Sequence, residues 1–445
     1  EFIRRSSLNS AGIAIARVLG FGFSFVLAKA YAASEYGHVV YVLMLASLLS
    51  VLVQPFGQHV MAYYIGKHSS DPQHLKRLMG NAWVVWAALV ALTLTLAIPV
   101  LLATSRFSAG VLVVFLGTSV FYTYYGIASG FLASTRLLAV YLASNVLQII
   151  LVCIVAFVLR VESVTPALFI YGLAYVIPLV AVTKLAPLPV SLRFQLDRPI
   201  AREIVRFSVP IWLSQLLYLG YSSVDVLLLE HFTDSGEVGV YGLTKTITTA
   251  FHFLPMGIQI FLMPKIAGSA RVEHNRLLGQ SLALVAAANV AGGALYLLVY
   301  PWFIKRIIGP DYYVGMLFGG LMALAAMLYA FHTLITAALV GSGRASLETT
   351  SRAIMMALMV GLGAALIPTH GALGTAITSL AAVAGGLLFY CFVWIAPTRL
   401  LQLSEVSGAC FGLQIHAPQP VSGCWPCAAE QVQRKTKPRG RSCPM

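Results

Sequence analysis

Charge is what this sequence has least of. Only 10% of its 445 residues are Asp, Glu, Lys or Arg, against about 25% in a soluble globular chain. With 59% hydrophobic residues and a mean hydropathy of +0.85, the chain cannot cover itself with polar surface, which excludes the soluble classes. Acid is scarcer than base, 15 residues to 29. Motifs for nucleotide, zinc and acyl-transfer chemistry are missing: there is no Gly-rich lysine loop, no HExxH and no GxSxG. Work done on a substrate must then draw on an ion gradient or on another protein. Cysteine supplies no framework either. Four of the six fall after residue 400, at Cys410, Cys424, Cys427 and Cys443. Cys424 and Cys427 have a metal-like spacing, but no second ligand pair accompanies them, so neither a metal nor a cofactor is expected.

Long apolar runs are what the sequence has in abundance. About 20 apolar residues cross a bilayer as a helix. Such runs lie near 8–31, 39–61, 80–104, 109–133, 138–160 and 166–187, then near 207–230, 238–264, 279–304, 314–340, 352–368 and 371–397. The expected fold class is an all-α integral membrane protein of about twelve transmembrane helices. Arg17 interrupts the first run, which is therefore read as a retained helix rather than a compact leader segment. Lys and Arg set the orientation. Of the 29, 22 fall in the N-terminus, the even-numbered loops and the tail, and 5 in the odd-numbered loops. The positive-inside rule then places both termini in the cytoplasm. The net charge of +14 is thus a topology signal, and no nucleic-acid partner is implied. Residues 398–445 lack periodicity and are read as a disordered cytoplasmic tail, in origin an out-of-frame extension. Glu1-Phe2 is read as a fragment start or a cloning scar.

One pattern occurs twice. "SEYGHVVYVL" (Ser34 to Leu43) and "SGEVGVYGLT" (Ser235 to Thr244) each hold Glu-x-Gly, read as a turn between two helices. Pro55-Phe56-Gly57 follows the first and Pro255-Met256-Gly257 the second, while Arg5-Ser6-Ser7 and Arg206-Phe207-Ser208 open the helices before them. The order and spacing agree to within two residues. Two six-helix lobes related by a parallel repeat are expected, at 1–187 and 207–397. Between them lies a basic amphipathic linker, 188–206, suited to the cytoplasmic lipid surface. Transporters built from repeats hold substrate between them near the midplane.

The openings of both halves carry a resemblance. "RVLGFGFSFVLAKAYAASEYGHVVYVL", "FSVPIWLSQLLYLGYSSVDVLLLEHFTDSGEVGVYGLTKTI" and "FLPMGIQIFLMPKIAG" resemble the bacterial polysaccharide transporters. These are the lipid-linked oligosaccharide (O-antigen) flippases of the multidrug/oligosaccharidyl-lipid/polysaccharide superfamily. The likeness covers roughly residues 6–397 and rests on Gly, Pro and one Asp rather than on a catalytic signature. It implies a non-enzymatic protein of the bacterial inner membrane. Its implied activity is carrying undecaprenyl-diphosphate-linked repeat units from the cytoplasmic to the periplasmic leaflet, for O-antigen, capsule or exopolysaccharide synthesis. Implied partners are the lipid-linked glycan, membrane lipids, and the polymerase and chain-length machinery of the same pathway. The missing initial Met and the last fifty residues depart from the family's pattern.

Charges inside a membrane are costly and mark candidate sites. Arg17 lies deep in the first run, and no acid lies within any helix of that half. It either forks onto a diphosphate or bonds helix-end carbonyls and snorkels to water. Asp225 and Lys245 fall at similar depth on consecutive helices. They either form a mutual ion pair, or serve separately as an ion-coupling acid and a substrate-binding cation. Gln54 and Gln58 beside the first Pro-x-Gly, and Gln259 beside the second, either contact sugar or bond between helices. Tyr122, Tyr124 and Tyr125 sit too deep for an interfacial belt and either stack on sugar or pack. His252 and His332 are read as structural. The acids Glu230, Asp234 and Glu237 are read as a solvated turn. The alternatives on function are a multidrug and toxin extrusion-type cation antiporter on the same fold and a major-facilitator carrier. A membrane glycosyltransferase or polymerase is a third. The first wants carboxylates in the first lobe, the second a basic Gly-Asp-Arg loop, and the last a large acidic periplasmic loop. None of these is present.

Overall fold

The computed structural model describes residues 19–54, 71–104, 108–128, 146–147, 149–151, 153–154, 165–175, 197–267, 271–342 and 344–395. No strand occurs among them. Helix α1 is Leu19–Ala30, α2 Ala33–Leu52, α3 Pro72–Thr104 and α4 Ser108–Ala128. Helical residues within 146–154 take the fifth place, as α5, and α6 is Thr165–Leu173. The second set begins with α7, Arg198–Phe232. Next comes α8, which runs as Ser235–Thr248, a 3-10 turn Thr249–His252 and the continuation Phe253–Ala267. Then follow α9, Arg271–Phe303, and α10, Gly315–Gly341. The stretch Ala345–Ile395 breaks at Gly371 into α11 (345–370) and α12 (371–395). Two sets of six helices, related as a parallel repeat, thus make a multi-pass membrane protein. Among the described residues, six helices are long and apolar enough to cross a bilayer. The described residues up to Cys391 belong to one compact unit.

Sequence chemistry explains the helix starts. Asp197 caps α7, its carboxylate accepting from the Ile200 N–H, with Pro199 in the first turn where no N–H is needed. Residues 198–206, read from sequence as linker, are therefore the first turns of α7. Asp234 caps α8 in the same way, accepting from the Glu237 N–H at 3.0 Å. The Glu-x-Gly motifs are thus first helical turns and not inter-helix turns, because the residues before them end the preceding helix.

The repeated glycines meet. A Cβ on Gly37 would fall inside the carbonyl oxygen of Ser235, and one on Gly239 inside that of Ala33. Each glycine faces the carbonyl four residues ahead of the other, so α2 and α8 cross backbone to backbone with a local two-fold relation. Lipid supplies no hydrophobic drive between helices, and small residues that permit this approach supply packing instead. The main apolar core surrounds the crossing, with Tyr36, Val39, Val40, Tyr241, Leu243 and Phe318 in it.

The expected solvated turn is in fact engaged, which corrects the sequence reading. Glu230 accepts from the Ser235 hydroxyl at 3.2 Å and lies 3.9 Å from His38 Nδ1. Glu237 accepts from the Ala372 N–H at 2.9 Å. Gly371 takes φ 54°, a left-handed conformation that would strain a side chain. There the chain reverses, and α12 presents its positive end to the Glu237 carboxylate.

Candidate functional site

A cavity of about 310 Å³ lies on the α1, α2, α4, α6 and α8 walls. Its floor is aromatic. Tyr171 on α6 and Tyr175, four residues on and just past the helix end, share a 3.1 Å contact between hydroxyls. Tyr122 on α4 stands 6.0 Å from the Tyr175 ring, and Phe23 on α1 5.0 Å from the Tyr171 ring. Ser24, Thr246 and Thr249 add hydroxyls to the wall. Among the described lining residues the one charged side chain is Lys245. No group of three potential metal ligands occurs among the described residues.

Lys245 is held from behind. Its Nζ lies 2.6 Å from Asp225 Oδ2 and 2.7 Å from the Ser222 carbonyl oxygen on α7. Two of the three ammonium donors are thus committed, and the side chain keeps 20% of its exposure, on the cavity side. The Tyr241 ring lies beneath, 5.9 Å from Nζ. Asp225 is 3% exposed. Its Oδ1 accepts from the Val226 N–H at 2.8 Å, and its Oδ2 from the Tyr241 hydroxyl at 2.7 Å. Tyr241 in turn lies 3.2 Å from the Ser379 hydroxyl on α12. The mutual pair is therefore present, and it is directional: the carboxylate is sealed in protein and the ammonium faces the cavity. An aromatic floor, several hydroxyls and one tethered cation suit a ligand that is both sugar-like and anionic.

The other expected site residues divide. Gln54 lies just past the end of α2, ten residues beyond cavity-lining Met44. Its Nε2 is buried with no partner among the described residues. Gln259 sits half-buried on the α8 continuation, fourteen residues from Lys245. Neither lines the cavity. Arg17 and Gln58 lie outside the described residues, as does His59. Tyr124 is buried rather than lining. His332 is bonded to the Ser351 hydroxyl at 2.8 Å, as a structural histidine would be. Sequence reasoning did not single out Tyr36, Tyr171, Tyr175, Thr246 and Thr249. The i, i+4 spacing of Tyr171 and Tyr175 was the available signal.

No protein-family model matches the sequence. An uncharacterised membrane protein of Methanocaldococcus jannaschii is 22% identical over 181 residues, 40% of this chain and 42% of that one. The chain thus spans less than half the length of the curated relative it matches. A solved structure of the lipid II flippase MurJ, in an inward closed conformation, aligns with TM-score 0.72 at 13% identity over 87% of each chain. An inward-facing multidrug resistance MATE transporter of the MOP superfamily aligns with TM-score 0.63 at 17% identity, over 91% of this chain and 99% of that one. A MOP superfamily transporter from Pyrococcus furiosus aligns at 0.53 and 16% over 87% and 94%. At these identities the likeness establishes the fold, which is the one shared by MurJ and the MATE transporters.

Proposed function

We propose that this protein is a flippase. Its substrate is an oligosaccharide linked through diphosphate to a polyprenyl lipid, moved from the cytoplasmic to the periplasmic leaflet of a bacterial inner membrane. The observation that carries the reading is the polarity of the cavity. Its described lining offers one cation, a tyrosine floor and hydroxyls, with no carboxylate. A cation exporter needs an acid facing its ligand. Asp225 faces away and is already neutralised by Lys245 and Tyr241. The fold shared with a lipid II flippase agrees with a lipid-linked substrate.

In this mechanism Lys245 gives its uncommitted N–H to a phosphate oxygen. The pair with Asp225 and the Ser222 carbonyl fix its position, so little side-chain entropy is lost on binding. Tyrosine faces stack on sugar rings, while Ser24, Thr246 and Thr249 meet hydroxyls. With both termini cytoplasmic, the Gly37–Gly239 crossing closes the periplasmic end, and the cavity receives substrate from the cytoplasmic side. Opening that crossing while the lobes rock delivers the head group outward. Arg17 is a second phosphate ligand in this scheme, and Gln54, Gln58 and Gln259 line the cytoplasmic path. Asp225, the acid that holds the substrate-binding cation, is the ion-coupling residue in this scheme. The test is flipping of a polyprenyl-diphosphate oligosaccharide in proteoliposomes. The paired change Asp225→Asn with Lys245→Gln keeps shape and removes charge. It should slow flipping about tenfold or more, the worth of a charged hydrogen bond. Unchanged flipping by correctly inserted protein overturns the assignment.

A further inference from the structure

A second cavity lies on the other side of α8. It measures about 460 Å³. The two share one wall. On α8, Lys245, Thr246, Thr249 and Phe253 face the polar cavity, while Ile247, Ala250, Phe251 and Leu254 face the second. The 3-10 turn Thr249–His252 falls within that shared segment. On α1, Phe21 lines the first cavity and Phe25 the second.

The second cavity is lined mostly by hydrocarbon. Its polar side chains are spent inside the protein: Asn289 donates to the Met327 carbonyl, Tyr296 to the Gly319 carbonyl, and Tyr300 shares a hydrogen bond with Thr244. What remains for an occupant is ring faces and branched aliphatic groups. Its rim is outward-facing, with Leu295 61% and Leu254 40% exposed. In a membrane-spanning chain such a rim meets lipid. A row of phenylalanines joins the two cavities. Phe253 and Phe21 lie 5.4 Å apart, Phe21 and Phe25 6.0 Å, and Phe25 and Phe303 5.0 Å. These contacts are edgewise or tilted. They part without breaking a hydrogen bond, so the row can admit a chain between α1 and α8.

We propose that this second cavity binds the polyprenyl chain of the lipid whose head group occupies the first, the chain passing through the Phe21–Phe25 row. The inference rests on the flippase reading for the head group and adds the subsite for the tail. Continuity argues for the tail of that same substrate over an unrelated lipid. A molecule with a polar head and a long chain can fill both cavities, and their shared wall is a single helix thick. Selectivity must come from packing, because a chain leaving bulk lipid gains no hydrophobic energy. Methyl-branched prenyl units fit walls of aromatic faces and branched side chains.

The test places the full chain in nanodiscs of phosphatidylethanolamine and phosphatidylglycerol. One probe is a polyprenyl diphosphate with a mid-chain diazirine; the other is geranyl diphosphate bearing the same group. The long probe should label segments 247–255 and 285–303, and the short probe the tyrosine floor. Unlabelled polyprenyl diphosphate should suppress the long-chain label about tenfold, whereas added phosphatidylglycerol should not. Ala288→Phe, which fills the second cavity, should reduce long-chain labelling about tenfold more than short-chain labelling. Equal competition by phosphatidylglycerol makes the cavity a site of ordinary bilayer lipid and overturns the inference, while labelling of the tyrosine floor keeps the flippase reading. Absence of both labels overturns both. If Ala288→Phe fails to insert, the competition on the unaltered protein decides alone.

Discussion

Removing Lys245 should cost more than removing it together with Asp225. Asp225 is 3% exposed and its Oδ2 accepts from both Lys245 and Tyr241. Lys245→Met leaves a buried carboxylate with the Tyr241 hydroxyl and its own helix N–H. Breaking a buried pair in this way costs about 3–5 kcal/mol. The two donors that stay, and the cavity-side exposure of Lys245, put this case near the lower end, about 3 kcal/mol. Adding Asp225→Asn removes the stranded charge and keeps an acceptor for Tyr241. The double variant should therefore recover about 2 kcal/mol relative to the sum of the singles. Thermal unfolding of detergent-solubilised protein reads this as an apparent melting temperature. Lys245→Met should fall by about 3 °C or more, and the double variant should rise above it. Single and double changes that add to within about 0.5 kcal/mol would show that the pair carries no coupling. The positioning of Lys245 by Asp225 would then be wrong.

Arg17→Ala should lower flipping about ten- to hundredfold with insertion intact, and Arg17→Lys should keep part of it, since only the fork is lost; flipping by Arg17→Ala at the full rate removes Arg17 from the site. Reporter fusions after Ser235 and after Ser269 should read periplasm and cytoplasm respectively, and the reverse pattern defeats the orientation. Gly239→Val puts a branched side chain against the Ala33 carbonyl, an overpacking of about 1–3 kcal/mol or more. It should therefore hold that end open. Alkylation of a cysteine placed at Ser235 in a Cys-free background should rise several-fold, and an unchanged rate shows that the crossing does not gate.

The helix order was legible because membrane spans announce themselves by length. The two glycines were legible because each recurs at the same place in its half. What the glycines do was not legible. The sequence shows that Gly37 and Gly239 correspond, but only tertiary placement shows that they touch. Helix ends were misplaced for a local reason. Asp197 and Asp234 are caps, and polar residues at a cap read like a loop until the first N–H groups are assigned. Lys245 and Asp225 were found because intramembrane charge is rare. Of the tyrosine floor Tyr122 was singled out, but Tyr171 and Tyr175 were missed because tyrosine is common here, 20 in all. Gln54 and Gln259 were singled out because they stand beside the two Pro-x-Gly segments, and neither lines the cavity.

The repeat also shows where the halves stop being equivalent. Gly37 and Gly239 differ by 202 positions, and the same shift pairs Glu35 with Glu237. It pairs Phe23 with Asp225 and Leu43 with Lys245. Both Phe23 and Leu43 line the polar cavity. The backbone crossing is thus built twice, whereas the ion pair is built once, with apolar residues at its counterpart positions. A symmetric pair of lysines would repel across a small cavity and bind an anion equally from either half. One lysine gives the cavity a charged side and a hydrophobic, aromatic side. A head group with phosphate at one end and sugar at the other then has a single favoured direction. The second cavity reinforces that direction, since it opens behind the same α8 face that carries Lys245. In the proposed reading, phosphate, which joins sugar to prenyl chain, falls at the wall between the two cavities, where Lys245 stands.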